Sequence, residues 1–341
     1  MTSNASTPSS AANRHFSGNN SAPLHHPVRS YFAIAAATLF WGISATLGRA
    51  VFTGRLISGA PSAVSAIDPL ILTQSRTTIS LLALAPLLLL LRGRRSFAMP
   101  GADIGRCLLV GILGVACSNY FYYVAIQKTT VATAIILQYT APIWVLLYMV
   151  ARRLQRASFQ RVAAVALGVV GSALAIGLAG GAQIKINALG VGAALLAALG
   201  FSFYNIGGRE LLQKYDRWPV FLYTLLGSVL VWNIVNPPWK IVQAHYSAEQ
   251  WWFLLLFAVL SILIPYSLYF AGLQYLDPTR AIVTSCLEPV FSILIAAIFL
   301  SELLTGLQVA GVVIVLAATV LVQMGPPPER KRRLDSSPGS E

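Results

Sequence analysis

The chain has 341 residues, of which 56% are hydrophobic and only 10% charged, with a mean hydropathy of +0.70. Soluble domains carry about 25% charged residues, so the composition excludes a soluble enzyme or regulator and gives a polytopic membrane protein. A net charge of +13 would suggest nucleic acid in a soluble protein, but here the basic residues sit in short loops between apolar segments, and no nucleic-acid partner is expected.

Residues 1–29 are rich in Ser, Asn and Ala and read as a disordered N-terminal tail. The first apolar run begins only near Tyr31, too late for a cleaved secretory signal. Ten apolar segments follow, at 31–51, 69–91, 104–125, 131–151, 159–179, 188–208, 218–236, 251–273, 280–300 and 304–323. Each is close to the ~20 residues that a bilayer core demands of a helix. Residues 324–341 form a polar C-terminal tail. The fold class is all-α, with ten transmembrane helices.

Cys107, Cys117 and Cys286 lie within or beside apolar runs. An odd number so placed gives neither a disulfide framework nor metal-ligand spacing. Gly-rich phosphate loops, paired catalytic carboxylates, HExxH and a serine elbow are all absent. No cofactor, no metal and no catalytic residue is expected. The missing Walker-type loop argues against ATP-driven pumping. Glycines recur at 168, 171, 192, 200, 207 and 208, where they are expected to let helices approach closely.

The ninth segment, RAIVTSCLEPVFSILIAAIFLSE from Arg280 to Glu302, carries Glu288 well inside, followed at once by Pro289. A carboxylate in hydrocarbon costs roughly 3 kcal/mol or more on insertion scales. Proline breaks a backbone hydrogen bond beside it. Such a pair is tolerated where the helix lines a cavity or packs on other protein. The stretch has an earlier counterpart. At an offset of 147 residues Tyr269 falls on Tyr122, Gln274 on Gln127, Ala281 on Ala134, Ile282 on Ile135, Pro289 on Pro142 and Leu294 on Leu147. We read this as a trace of internal duplication.

Loop arginines and lysines give the orientation. With the N-terminus inside, 18 of the 24 Lys and Arg fall on the cytoplasmic side. Only Arg55, Lys128, Lys185 and Lys240 fall outside, and Arg49 and Arg76 lie at or within helices. Both termini are therefore expected in the cytoplasm. The 147-residue offset spans five helices, an odd number, so the two copies face opposite ways. That is the inverted-repeat plan of secondary transporters. The expected division is 30–182 and 183–323.

These segments resemble a known family. LFWGISATLGRAVF and QSRTTISLLALAPLLLLL resemble the first two helices of EamA-type members of the drug/metabolite transporter superfamily. AIQKTTVATAIILQYTAPIWVLLYM and AGLQYLDPTRAIVTSCLEPVFSILIAAIFLSE resemble the repeated hairpin of each half. The resemblance covers about residues 31–323. It implies ten helices in two inverted five-helix repeats, a multi-pass place in a bacterial inner membrane, and export of small metabolites such as amino acids. Gln155 stands where first-half members often carry an acid, matching Glu302 in the second half.

Glu288 reads as a protonatable group or cation partner facing a central cavity, or else as a neutral structural acid. Arg76 could attract an anionic group, yet the sequence alone leans towards snorkelling or structural pairing. Gln138 and Tyr139 precede Pro142, mirroring Ser285 and Cys286 before Glu288 and Pro289. Trp41, Asn119, Tyr123, Tyr204, Asn205, Tyr266 and Tyr269 complete the candidate substrate-binding set, since aromatics in a cavity can stack on planar or cationic substrates. Trp239, Tyr246, Trp251 and Trp252 fit an interfacial belt. The expected function is alternating-access transport of a small-molecule substrate, with proton coupling through Glu288. A membrane-embedded enzyme or a lipid or nucleotide-sugar-type carrier is the alternative. The bilayer is a partner, and a homodimer is compatible with the sequence.

Overall fold

A computed structural model describes residues 27–52, 67–177, 187–299 and 304–324. Both expected tails, apart from residues 27–29 and 324, lie outside the described residues, as do the long loop after the first helix, Lys185 and Glu302.

The membrane helices are α1 (Pro27–Phe52), α2 (Pro69–Arg92), α3 (Gly101–Lys128), α4 (Val131–Ala151), α5 (Phe159–Ala175), α6 (Ala188–Leu212), α7 (Arg217–Val235), α8 (Ala248–Leu273), α9 (Pro278–Ser285 continued by Leu287–Phe299) and α10 (Gly306–Met324). A short helix, Trp239–Gln243, lies between α7 and α8. Among the described residues nine helices are long and apolar enough to cross a membrane, and α5 is apolar but shorter. The fold is all-α and polytopic, with about ten crossings. The described part of α1 begins at Pro27, before Tyr31 where the first apolar run was expected to begin. Proline suits a first helical turn, where its missing N–H would have no partner anyway.

Polar side chains set most of the other helix starts, α3 with Pro100 before it being an exception. Asp68, Thr130, Ser158, Asn187, Asp216, Ser247 and Asp277 each accept a backbone N–H of the turn they precede. Each satisfies an orphan donor that would otherwise need water. Thr130 and Asp277 are themselves 147 residues apart.

The same offset governs where helices bend. α3 contains a π-helical stretch at Val110–Ala116 and α8 one at Val259–Leu263. α4 breaks at Tyr139–Thr140 and α9 at Cys286. Pro142 and Pro289 explain both breaks. Neither can donate to the carbonyl four residues back, at Gln138 and Ser285 respectively.

Helix pairing repeats in the same way. α3 packs on α6 and α7, and α4 on α6; α8 packs on α1 and α2, and α9 on α1. Advancing each helix of the first set by five, counted around the bundle, gives the second. α2 against α7 and α5 against α10 map onto themselves. The α5–α10 contact is backbone-close. A Cβ added at Gly171 would lie 2.9 Å from the Val315 nitrogen, and one at Gly311 only 2.3 Å from the Ala175 nitrogen. Gly200 likewise meets α3, 3.0 Å from the Leu113 carbonyl oxygen, whereas Gly192 faces open space and packs on nothing.

Hydroxyls join helices where the backbone approaches. Ser118 donates to the Ala197 carbonyl at 2.8 Å, Ser202 to Ala141 at 3.1 Å and Ser80 to Ala258 at 3.2 Å. Such bonds between membrane helices average about 0.6 kcal/mol. Trp239, Trp251 and Trp252 are exposed near helix ends. Tyr246 packs edge-on to Trp251 and accepts the Asp68 N–H at 3.3 Å.

Candidate functional site

The bends of α3, α4, α8 and α9 surround a cavity of about 1010 Å³. It reaches the end of the bundle where α3 turns into α4, since Gln127, Val131 and Ala132 line it, together with Leu304 and Gln308 at the start of α10. The π-helical stretches precede Ser118 and Asn119 on α3 and Tyr266 on α8, all lining residues. A π-turn shifts the register of the residues downstream of it and is frequent at functional sites.

Among the described residues only two lining side chains are of the acidic or basic types, Arg76 from α2 and Glu288 from α9. Arg76 Nη2 donates to Asn119 Oδ1 at 3.3 Å, while Asn119 Nδ2 donates to the Val115 carbonyl at 2.8 Å. The guanidinium carbon lies 6.0 Å from the Phe257 ring centroid. Arg76 Nε is buried and has no hydrogen-bond partner. An under-partnered guanidinium at this depth is a strong anion receptor. Of the two readings the sequence favoured, snorkelling and structural pairing, the bond to Asn119 matches the pairing, and Arg76 also lines the cavity. Opposite, the Tyr139 hydroxyl is within hydrogen-bonding reach of the Glu288 carboxyl. This tyrosine stands at the break of α4, so the two broken helices meet through their polar groups.

An aromatic layer closes the cavity on one side. Trp41 lies edge-on to Tyr266 at 5.4 Å and to Phe201 at 6.4 Å, and Tyr204 stacks on Phe201 at 6.0 Å. Tyr204 also stacks on Phe270 at 5.3 Å, behind the lining. Beyond this layer the N-terminal half of α9 forms a plug. Thr279 donates to Gln155 Oε1 at 2.9 Å, with both residues buried. Asp277 and Arg280 pair at 3.1 Å, and Arg209 donates to the Gln274 carbonyl. Gln155, singled out as departing from the family's acid, is thus part of the plug.

Of the candidate residues, Trp41, Arg76, Asn119, Tyr123, Gln138, Tyr139, Tyr204, Tyr266 and Glu288 line this cavity. Asn205 and Tyr269 do not. They are fully buried and bonded to each other, the tyrosine hydroxyl donating to Asn205 Oδ1, and Asn205 Nδ2 donating to the Phe201 carbonyl at 2.8 Å. They support the wall rather than face the space. The candidate set omitted Tyr122, Gln127, Ser44, Ser285, Ser292 and Gln308, which also line it. For Tyr122 a signal existed: Asn119, Tyr122, Tyr123 and Ile126 repeat at helical spacing and share one face. Ser44 and Ser292 have no such signal, since a lone serine in an apolar helix reads the same whichever way it points.

The model of the EamA-like transporter family matches the chain twice, over residues 28–177 and 188–324. The chain belongs to the EamA-like transporter family. Among its relatives, this EamA-like transporter is 22% identical to the uncharacterized inner membrane transporter YicL of Salmonella typhimurium (strain LT2), over 64% of this chain and 72% of the relative. It is 26% identical to an uncharacterized transporter of Archaeoglobus fulgidus, over 62% of this chain and 75% of that one. The threonine/homoserine exporter RhtA of Salmonella typhimurium (strain SL1344) is 29% identical over 61% of this chain and 68% of the exporter. A solved crystal structure superimposes with a TM-score of 0.68 at 18% identity, covering 90% of this chain and 98% of that one, and shows the same fold. The protein is a multi-pass membrane transporter, and its relatives are named as transporters or exporters, in keeping with a protein that is no enzyme.

Proposed function

We propose that this transporter exports amino acids or closely related zwitterions across the inner membrane by alternating access, with Glu288 as its proton-coupling group. One observation carries the reading: among the described residues one guanidinium and one carboxyl line the same cavity, and the guanidinium has a buried Nε with no partner. An α-amino acid presents the complementary carboxylate and ammonium. Arg76 receives the carboxylate; a charge-assisted hydrogen bond is worth about 1.5–3 kcal/mol. Glu288, with Tyr139 beside it, receives the ammonium. The aromatic layer of Trp41, Phe201, Tyr204 and Tyr266 takes the side chain.

Glu288 can hold either a proton or the ammonium. Release of one on binding of the other couples substrate to proton by linkage. The positive-inside distribution supports cytoplasmic termini. The α9 plug then lies on the cytoplasmic side and the cavity faces outwards, with the two halves exchanging roles in the opposite state. The name of the RhtA relatives, threonine/homoserine exporters, supports the substrate class and direction.

Extracellular metabolites of cells overproducing the wild type and the Glu288→Gln variant test the reading. Selective amino-acid accumulation with the wild type alone is expected. Accumulation with both keeps the exporter and makes Glu288 structural. Accumulation with neither, at verified membrane expression, overturns export of amino acids.

A further inference from the structure

A second hollow, of about 360 Å³, lies between α2 and α7, away from the transport cavity. Its lining includes Leu82, Pro86, Phe97, Leu222 and Leu226. The Tyr223 hydroxyl is already used, donating to the Phe97 carbonyl at 2.7 Å. Leu82 is largely exposed, so the hollow faces the bilayer side of the bundle. Apolar walls alone would take any acyl chain and distinguish nothing.

The end of the hollow is different. Phe97 closes the single 3₁₀ turn that Arg94 opens, at the foot of α2. Lys214 and Arg217 stand just before the part of α7 that supplies Leu222 and Leu226. Asp216 pairs with Arg92 at 3.1 Å, tying the foot of α2 to the head of α7. The Arg92 and Arg217 guanidiniums lie 5.7 and 5.0 Å from the Trp218 ring centroid. Asp103 pairs with Arg106 at 2.9 Å and also lies within electrostatic reach of Lys214. Among the described residues Arg94, Lys214 and Arg217 then form no ion pair within 4 Å. Three cations outside any ion pair thus flank the foot of α2 and the head of α7, the two helices that wall the apolar slot, where helices end and headgroups begin.

We propose that this is a binding site for an anionic phospholipid, with one acyl chain in the α2–α7 hollow and the phosphate against Arg94, Lys214 and Arg217. Basic pockets between membrane helices hold anionic headgroups in this way, and tryptophan sits comfortably at that depth. The Arg92–Asp216 pair holds the two helices at the spacing that leaves the slot open. A zwitterionic lipid fills the slot equally well but brings a choline ammonium against the cations. The headgroup charge therefore does the selecting.

The full chain is reconstituted in nanodiscs of equal parts phosphatidylglycerol and phosphatidylcholine, and retained lipid is counted by native mass spectrometry. The expected result is retention of phosphatidylglycerol over phosphatidylcholine by about tenfold or more, from a contribution of several cations near the surface. The variant R94Q/K214Q/R217Q brings the ratio close to one. Leu226→Trp fills the slot, leaves the cations and lowers retention of both lipids. Added inorganic phosphate leaves the retained lipid unchanged; if phosphate displaced it, the site would be one for free phosphate and the proposal would fail. Equal retention of the two lipids by the wild type overturns it without recourse to any variant. So does a preference that survives loss of the three cations, or retention that Leu226→Trp does not touch.

Discussion

Helices α4 and α9 are two versions of one device. Each begins at a side-chain cap, Thr130 or Asp277, breaks eight or nine residues later, and resumes around a proline, Pro142 or Pro289. Their surroundings differ. At the start of α4, Val131 and Ala132 line the cavity. At the start of α9, every residue from Pro278 to Ser285 except Arg280 is buried, and Thr279 is bonded to Gln155. Beyond the break α9 supplies Glu288, where α4 has Ala141 and before it Tyr139. The same backbone therefore serves as an open wall in one half and a plug in the other, while the carboxyl lies in one half only. On the function proposed above, the symmetry of the backbone serves the two states and the asymmetry of the side chains assigns the proton to α9.

The largest test removes that asymmetry. Glu288→Gln keeps the size and loses the ionisable group. Export is expected to fall by about tenfold or more, as for other ionisable groups in membrane pathways, and the remaining rate should no longer vary with external pH between 5 and 8. A pH profile parallel to that of the wild type would take the proton away from α9. Arg76→Gln comes next. It leaves the cavity without its anion receptor, and the KM for an amino acid should rise about tenfold to a hundredfold, the loss of one charge-assisted bond. An amine lacking the carboxylate should lose far less, and equal losses for both compounds would show that Arg76 is structural.

Thr279→Val acts on the plug alone. It leaves Gln155, whose Nε2 already lacks a partner, wholly unsatisfied, at a cost of about 1–3 kcal/mol. The equilibrium should move towards the state with the plug open. A Ser285→Cys reporter in the cavity should then be alkylated more slowly from the α3–α4 end, measured against the background from the native cysteines. Unchanged alkylation would mean that the Gln155–Thr279 bond does not hold the plug. The smallest effect is expected of Tyr139→Phe. It removes a neutral hydroxyl from beside Glu288, and a shift in the pH profile with maximal rate kept within a few-fold is the predicted outcome.

Much of this comparison was legible in the sequence. Ten apolar runs, the 147-residue offset and the two prolines announced the crossings and the breaks. Glu288 announced itself because a carboxylate among leucines has few explanations. What the sequence hid was direction. Asn205 and Tyr269 look like cavity residues by type, yet they bond to each other behind the wall, and no period distinguishes a polar group that faces a cavity from one that faces a partner helix. Arg76 could have snorkelled; only the positions of Asn119 and Phe257 show that its head lies inside. Gln155 read as a lapse from a family pattern, and its bond to Thr279 joins residues 124 positions apart. Such contacts depend on how helices pair, and helical periodicity within one segment carries no information on that.

The most direct test is counterflow in proteoliposomes. Vesicles holding purified wild-type protein are loaded with unlabelled threonine or homoserine and diluted into a trace of the labelled compound. Alternating access through one saturable site predicts transient accumulation of label above equilibrium, faster in the wild type than in Arg76→Gln. Label that only equilibrates, at a rate linear in concentration, would indicate a channel. No entry of any amino acid tried, with the protein folded and inserted, would contradict the assignment of the Arg76–Glu288 cavity to zwitterions.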